Sequence, residues 1–230
     1  MLIIVDKFLS LRSKIHKIMA KKLQLALDFI DLEEAVSMAK KAALYVDIME
    51  AGTPLIKAVG LEAVRRLKKE FPDKIINADM KTADVGDLET KMAAEAGANI
   101  VTVMGAAPIE TLVAAVKEGK NHPNLKIAAD TIGVKNISEK AKEIEEAGAD
   151  YLLIHCGIDE QKKGKDPIAN VKSALQATKQ ISVIACGGIN AETAKVFKEM
   201  ARVEIVIVGG GITRVSNPEE AAKKIKEALL

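Results

Sequence analysis

Eight short apolar runs rich in β-branched residues alternate with eight longer stretches of helical periodicity from Leu23 to Leu230, and no linker separates them. Several runs, among them Ile100–Met104 and Val203–Val208, are apolar at nearly every position, as strands covered on both faces must be. Parallel strands need crossover helices, and a chain of 230 residues suits eight such units in one body. The predicted fold class is therefore α/β, a (β/α)8 TIM barrel.

The first strand is read at Leu23–Leu27 and its helix at Leu32–Ala43, with Asp31 placed as the N-cap ahead of Leu32-Glu-Glu-Ala. The second strand is Tyr45–Met49 with a helix at Gly60–Glu70. The third, Ile75–Met80, follows a turn at Asp73-Lys74 and leads to a helix at Asp87–Ala96. Ile100–Met104 and a helix at Ile109–Glu118 make the fourth unit. The fifth runs from Lys126–Ala129, after the turn Asn121–Asn124, to a helix at Ile137–Ala147. Tyr151–Ile154, Ser182–Ala185 and Glu204–Val208 complete the strands, with helices at Pro167–Thr178, Ala191–Met200 and Pro218–Leu229. Glu95-Ala-Gly-Ala-Asn99 and Glu146-Ala-Gly-Ala-Asp150 each precede a strand, so Gly97 and Gly148 are expected to end their helices in the left-handed region.

Composition narrows the function. Hydrophobic residues at 49% supply a large core, and 34 Lys+Arg against 32 Asp+Glu leave a net charge of only +2, which argues against nucleic acid or an anionic membrane as partner. Aromatics at 3% disfavour stacking on single strands. No run has membrane-spanning length and no targeting signal is read, so a cytoplasmic protein is expected. Residues 1–22 carry six Lys/Arg against the single acid Asp6, with Phe8, Leu11, Ile15, Ile18 and Met19 at helical spacing. They are read as a basic amphipathic extension before a barrel of residues 23–230.

In such a barrel chemistry sits where the strands end. Asp28, Glu50, Asp79, Lys81, Asp130 and His155 close successive apolar runs. Period two places Asn77, Asp79 and Lys81 on one face of their strand, looking into the mouth. For Asp130 and His155 taken singly, a structural role stays open. Glu50 and Asp79, from adjacent strands, suit a hard divalent cation such as Mg2+. Asp84 extends the row as Asp79-x-Lys81-x-x-Asp84. Opposite, Cys186-Gly187-Gly188-Ile189 and Val208-Gly209-Gly210-Gly211 follow the seventh and eighth strands, where backbone N–H groups can close around a phosphate. Cys156 and Cys186 read as small packing residues, with a His-Cys-Cys zinc site as the alternative. A sugar phosphate is the natural ligand of this arrangement, and a metal chelated by two oxygens of a ketose would stabilise an enediolate. A non-catalytic barrel that binds sugar phosphates is the reading from another class, although simple binding does not need Lys81 and His155.

The runs Leu23-Gln-Leu-Ala-Leu-Asp28, Val46-Asp-Ile-Met-Glu-Ala-Gly-Thr-Pro-Leu-Ile-Lys57, Ala78-Asp-Met-Lys-Thr82, His155-Cys-Gly-Ile-Asp-Glu-Gln161 and Ala185-Cys-Gly-Gly-Ile-Asn190 resemble the 3-hexulose-6-phosphate synthase family, within the orotidine 5′-phosphate decarboxylase suprafamily. The resemblance covers Leu23 to Leu230. It implies a reversible aldol reaction in which ribulose 5-phosphate loses a C1 proton and its enediolate adds to formaldehyde. Glu50 and Asp79 would bind Mg2+, Asp28 and Lys81 would contact substrate hydroxyls and the enediolate, and His155 would move protons. Asp84 would reach the neighbouring site of a homodimer, and Gly187, Gly188, Gly209 and Gly210 would hold phosphate. Cys156, Cys186 and Asn77 depart from the family pattern, Asn77 standing where an aliphatic residue is usual. The 3-keto-L-gulonate 6-phosphate decarboxylases, the alternative, typically carry Arg where this chain has Ile158 and Gly210. A nucleotide decarboxylase would carry Lys in place of Glu50.

Overall fold

Strands buried on both faces need apolar residues at successive positions, and the helices laid over them need one apolar stripe. Both patterns recur around the ring in the computed structural model, which describes residues 21–230. The strands are β1 Lys22–Leu27, β2 Ile48–Ala51, β3 Ile75–Thr82, β4 Ile100–Met104, β5 Lys126–Asp130, β6 Tyr151–His155, β7 Ser182–Cys186 and β8 Val203–Val208. Each pairs in parallel with its neighbour in sequence, and β8 closes on β1. The predicted (β/α)8 barrel is the observed fold.

The helices are α1 Leu32–Ala42, α2 Thr53–Val59, α3 Glu62–Glu70, α4 Gly86–Glu95, α5 Ile109–Gly119, α6 Ile137–Glu146, α7 Ile158–Gln161, α8 Ile168–Ala177, α9 Ala191–Ala194, α10 Gly210–Thr213 and α11 Pro218–Leu229. Asp31 caps α1 as expected, accepting from Glu34 N at 2.8 Å. Gly97 and Gly148 take positive φ, 100° and 83°, where α4 and α6 end. The short helices α2, α7 and α10 lie in segments read as loops, and each follows a strand end at the mouth. The helix expected over Ala191–Met200 stops at Ala194 and tightens into a 3-10 turn, Lys195–Phe197, that carries the fully buried Phe197 inward.

Two apolar populations result from strand alternation. Leu23, Leu25, Leu27, Val206 and Val208 face the helix layer, while Ala26, Ile48, Ile100, Ala128, Leu153, Ile184, Ile205 and Ile207 fill the barrel interior. The second strand begins at Ile48 and not at Tyr45, because the residues before it are held by side chains. Asp47 accepts from Leu23 N at 2.7 Å and from Lys226 Nζ at 2.6 Å, and Lys74 Nζ donates to Val46 O. The proposed extension lies outside the described residues except for Lys21 and Lys22. Those two belong to the barrel: Lys22 opens β1, and Lys21 is 1% exposed with Nζ donating to Met200 O at 2.8 Å.

Candidate active site at the barrel mouth

At the carboxyl end of β3 the chain leaves regular pairing. The β3–β4 register jumps between Ala78 and Thr82, and Lys81 takes φ 47°, a left-handed conformation uncommon for a residue with a side chain. Asp79 and Lys81 do converge as expected, but a bulge brings them together where unbroken alternation had been assumed. Lys81 Nζ donates to Asp79 Oδ1 and Oδ2 at 3.0 and 2.8 Å, and to Asp130 Oδ2 at 2.8 Å. Asp79 also accepts from Thr102 Oγ1 of β4 at 2.7 Å and from Thr53 Oγ1 of α2 at 2.8 Å, so its lone pairs are engaged by three donors through four hydrogen bonds. Strain held in place by so many contacts is typical of a working site.

Asp130, at the end of β5, is fully buried and joins this cluster to β6. Its Oδ2 meets His155 Nδ1 at 2.9 Å, and its Oδ1 accepts from Ile132 N at 2.8 Å. Burial alone would raise the proton affinity of Asp130, but the bond to His155 and the charges of His155 and Lys81 hold the carboxyl down at about 2. Burial opposes a charge on His155. The Asp130 carboxylate, with the Cys186 sulfur alongside, outweighs it and raises the imidazole above its ordinary value. Burial also pushes the Cys186 thiol up, so at neutral pH it carries no charge and Asp130 is the physical source of the shift. Lys81 loses proton affinity to burial and regains more from Asp79 and Asp130, ending well above the ordinary lysine value. The cluster is thus one hydrogen-bonded row: Asp79, Lys81, Asp130, His155.

Glu50 ends β2 at 5% exposure, its Oε2 accepting from Gln24 Nε2 at 2.5 Å. Burial first, then the charges of Asp79 and Asp28, push its carboxyl up to about 8. That is the signature of a buried acid short of positive charge, and it suits a divalent cation. Mg2+ is commonly held by one or two carboxylates with its remaining positions left to substrate and water. Among the described residues no group of three or more His, Cys, Asp and Glu side chains is placed to hold a metal ion, so the His-Cys-Cys zinc alternative has no geometric support. Asp79 can offer an oxygen to a cation by exchanging one of its three donors.

Asp28 stands exposed at the rim. Loss of water around its carboxyl and the nearby Asp79 raise its proton affinity, against the pull of Lys81, His155 and Arg214. It lies close against Gly52, where an added Cβ would fall 2.3 Å from Asp28 Oδ1. On the far side of the mouth Gly187 and Gly188 have φ 120° and 64°, and a Cβ on Gly187 would fall 2.4 Å from Cys156 O. Both line a cavity of about 230 Å3 with Lys165 and Thr193. Gly209 precedes α10, which starts at Gly210. Asp84 is exposed, and its Oδ1 accepts from Val85 N beside it.

Sequence reasoning left Asp130 undecided and missed Thr53, Thr102, Gln24 and Arg214. Thr102 and Gln24 stand at inward positions of β4 and β1 and could have been found by period two. Arg214 is the first cation after the Gly209–Gly211 run, and its side chain lies against Gly210. Thr53 carries no signal in a linear reading.

A family model described as Orotidine 5'-phosphate decarboxylase / HUMPS matches residues 21–225. A 3-hexulose-6-phosphate synthase of Bacillus subtilis is 38% identical over 209 residues, spanning 91% of this chain and 99% of its own. The crystal structure of 3-hexulose-6-phosphate synthase from Salmonella typhimurium aligns with a TM-score of 0.87 at 35% identity, over 90% of this chain and 98% of that one. A ligand-bound crystal structure of KGPDC from Streptococcus mutans aligns with a TM-score of 0.84 at 32% identity, over 91% and 97%. With the match running through all eight strands, the chain belongs to the orotidine 5′-phosphate decarboxylase / HUMPS family.

Proposed function

We propose that the chain is a 3-hexulose-6-phosphate synthase, an aldehyde-lyase that joins formaldehyde to ribulose 5-phosphate through an enediolate, reversibly and with Mg2+. One observation carries the reading: Asp79, Lys81, Asp130 and His155, from three strands, form one hydrogen-bonded row beside the buried, charge-starved Glu50. The names of the relatives support it.

Mg2+, held by Glu50 and Asp79, would supply a Lewis acid that polarises the ketose carbonyl. The rest is work for side chains. Lys81, kept charged by two carboxylates, stabilises the negative charge of the enediolate, and with Asp28 it contacts substrate hydroxyls. His155, oriented through Nδ1 by Asp130, moves protons: its neutral form takes the C1 proton as the enediolate forms, and the resulting imidazolium gives that proton to the alkoxide formed when formaldehyde adds, both transfers reversing in cleavage. Gly187, Gly188, Gly209 and Gly210 offer backbone N–H groups to the phosphate. Asp84 serves the neighbouring site of a homodimer. That role is supported by its exposure beside Val85, Leu88, Met92 and Val113, exposed apolar residues at and along the packed helices α4 and α5. No helix among the described residues is long and apolar enough to cross a membrane. We place the enzyme in the cytoplasm, where the free thiols Cys156 and Cys186 stay reduced.

The test supplies ribulose 5-phosphate, formaldehyde and Mg2+ and follows formaldehyde. The reading expects consumption that EDTA abolishes. Consumption indifferent to EDTA overturns the metal assignment. No consumption, with CO2 released from 3-keto-L-gulonate 6-phosphate, assigns the chain to the decarboxylases.

A further inference from the structure

One level below Glu50 the barrel interior holds two amides among hydrocarbon. Alternate strands contribute the four side chains of each interior layer. Followed around the tilted ring, the register puts Gln24 of β1, Asn77 of β3, Ala128 of β5 and Ile184 of β7 at one level. Glu50, Thr102, Leu153 and Ile207 form the next level toward the mouth. Gln24 and Asn77 are both 0% exposed. Gln24 spends its Nε2 on Glu50 Oε2, while Gln24 Oε1, Asn77 Oδ1 and Asn77 Nδ2 have no hydrogen-bond partner among the described residues.

A buried polar atom without a partner costs about 1–3 kcal/mol, and three in one layer would be a heavy penalty for a position that Leu could fill. The three atoms are complementary to one molecule. A single water can donate to Gln24 Oε1 and Asn77 Oδ1 and accept from Asn77 Nδ2, and about three bonds is the usual complement of an internal water. Ala128 contributes only a methyl group to the same layer.

We propose that Gln24 and Asn77 bind one internal water, and that these water-bridged amides are positioning residues for Glu50. The water fixes the Gln24 amide, and Gln24 in turn fixes Glu50 Oε2, leaving Oε1 to the mouth. The part that concerns Glu50 rests on the function proposed above. Asn77 is where the chain departs from an aliphatic pattern, so the brace is a property of this sequence.

A high-resolution crystal structure of the protein should show one water within hydrogen-bond reach of all three atoms. Asn77→Leu, which removes two unpaired polar atoms, keeps the branch at Cγ and spends its extra volume on the space of the water, should fold at least as well as the parent. It should lose the water, lower kcat about 10-fold and weaken Mg2+ binding to the free protein about 10-fold by calorimetry, with KM for ribulose 5-phosphate held within about twofold. Asn77→Ser, which keeps a hydroxyl and room for water, should restore both constants. Absence of the water from the parent crystal overturns the inference, as does a folded Asn77→Leu protein with parental kcat and Mg2+ affinity. If the parent turns over no ribulose 5-phosphate, the proposed function falls. The crystal and the Mg2+ titration still decide the brace.

Discussion

Asp130→Asn keeps the size of the side chain and an oxygen for Ile132 N, and removes the charge that Lys81 and His155 share. Removing one partner of a buried ion pair costs about 3–5 kcal/mol. The low end applies here, because Lys81 retains two bonds to Asp79 and only His155 is left without an anion. The sign of the pH dependence follows from both partners. The Asp130 carboxyl is held down at about 2, so its contribution is present above the unfolded value near 3.8 and is lost as pH falls toward 2. His155 is raised above its ordinary value, so its contribution is complete below the unfolded value near 6.5 and declines as pH rises through its higher native value. The variant should therefore be destabilised by about 3 kcal/mol between pH 4 and 6.5, and by progressively less above and below that window. Urea unfolding at pH 5.5 and pH 9 measures the loss, and NMR titration of His155 should show its pKa falling to the ordinary range or below. A loss under about 0.5 kcal/mol at pH 5.5, within the range of ordinary surface changes, or an unchanged His155 titration would refute the charge row.

Thr102→Val preserves shape but removes a donor to Asp79 at 2.7 Å, and should cost about 1.5–3 kcal/mol in chemical denaturation, as for other hydrogen bonds to charged groups. Gly52→Ala drives a Cβ to 2.3 Å from Asp28 Oδ1 and 2.8 Å from Leu27 O, so a stability loss of about 1–3 kcal/mol should accompany a raised KM for ribulose 5-phosphate. Leu88→Glu puts a charge on the exposed apolar face of α4. On the proposed homodimer, sedimentation should find the variant monomeric, and activity should fall with dimer content because Asp84 would lose the neighbouring site.

Much of the barrel is legible in linear order because strand and helix periodicities are local. Pro218–Leu229 matches its helix to the residue, and Ile100–Met104 matches its strand. The errors fall where long-range bonds override local pattern. Tyr45–Asp47 reads as strand, yet Lys226 and Lys74 hold Asp47 and Val46 with side chains. Ala191–Met200 reads as one helix, yet burial of Phe197 tightens its second half. In the site, strand-end acids announce themselves by closing apolar runs. Asp130 does not declare its role that way, because a carboxylate becomes a bridge only when its two cations are known.

What the sequence determined by itself was the ring of eight units, the end of the barrel that carries chemistry, and the residue types gathered there. Short-range periodicity and the rule that charges avoid the core suffice for that. Tertiary structure alone decided which charges touch: the bulge that turns Lys81 back onto Asp79, the meeting of Asp130 with His155, and the amide layer beneath Glu50. Electrostatic energy depends on separations of a few ångströms between residues tens of positions apart, and those separations exist only once the barrel has closed.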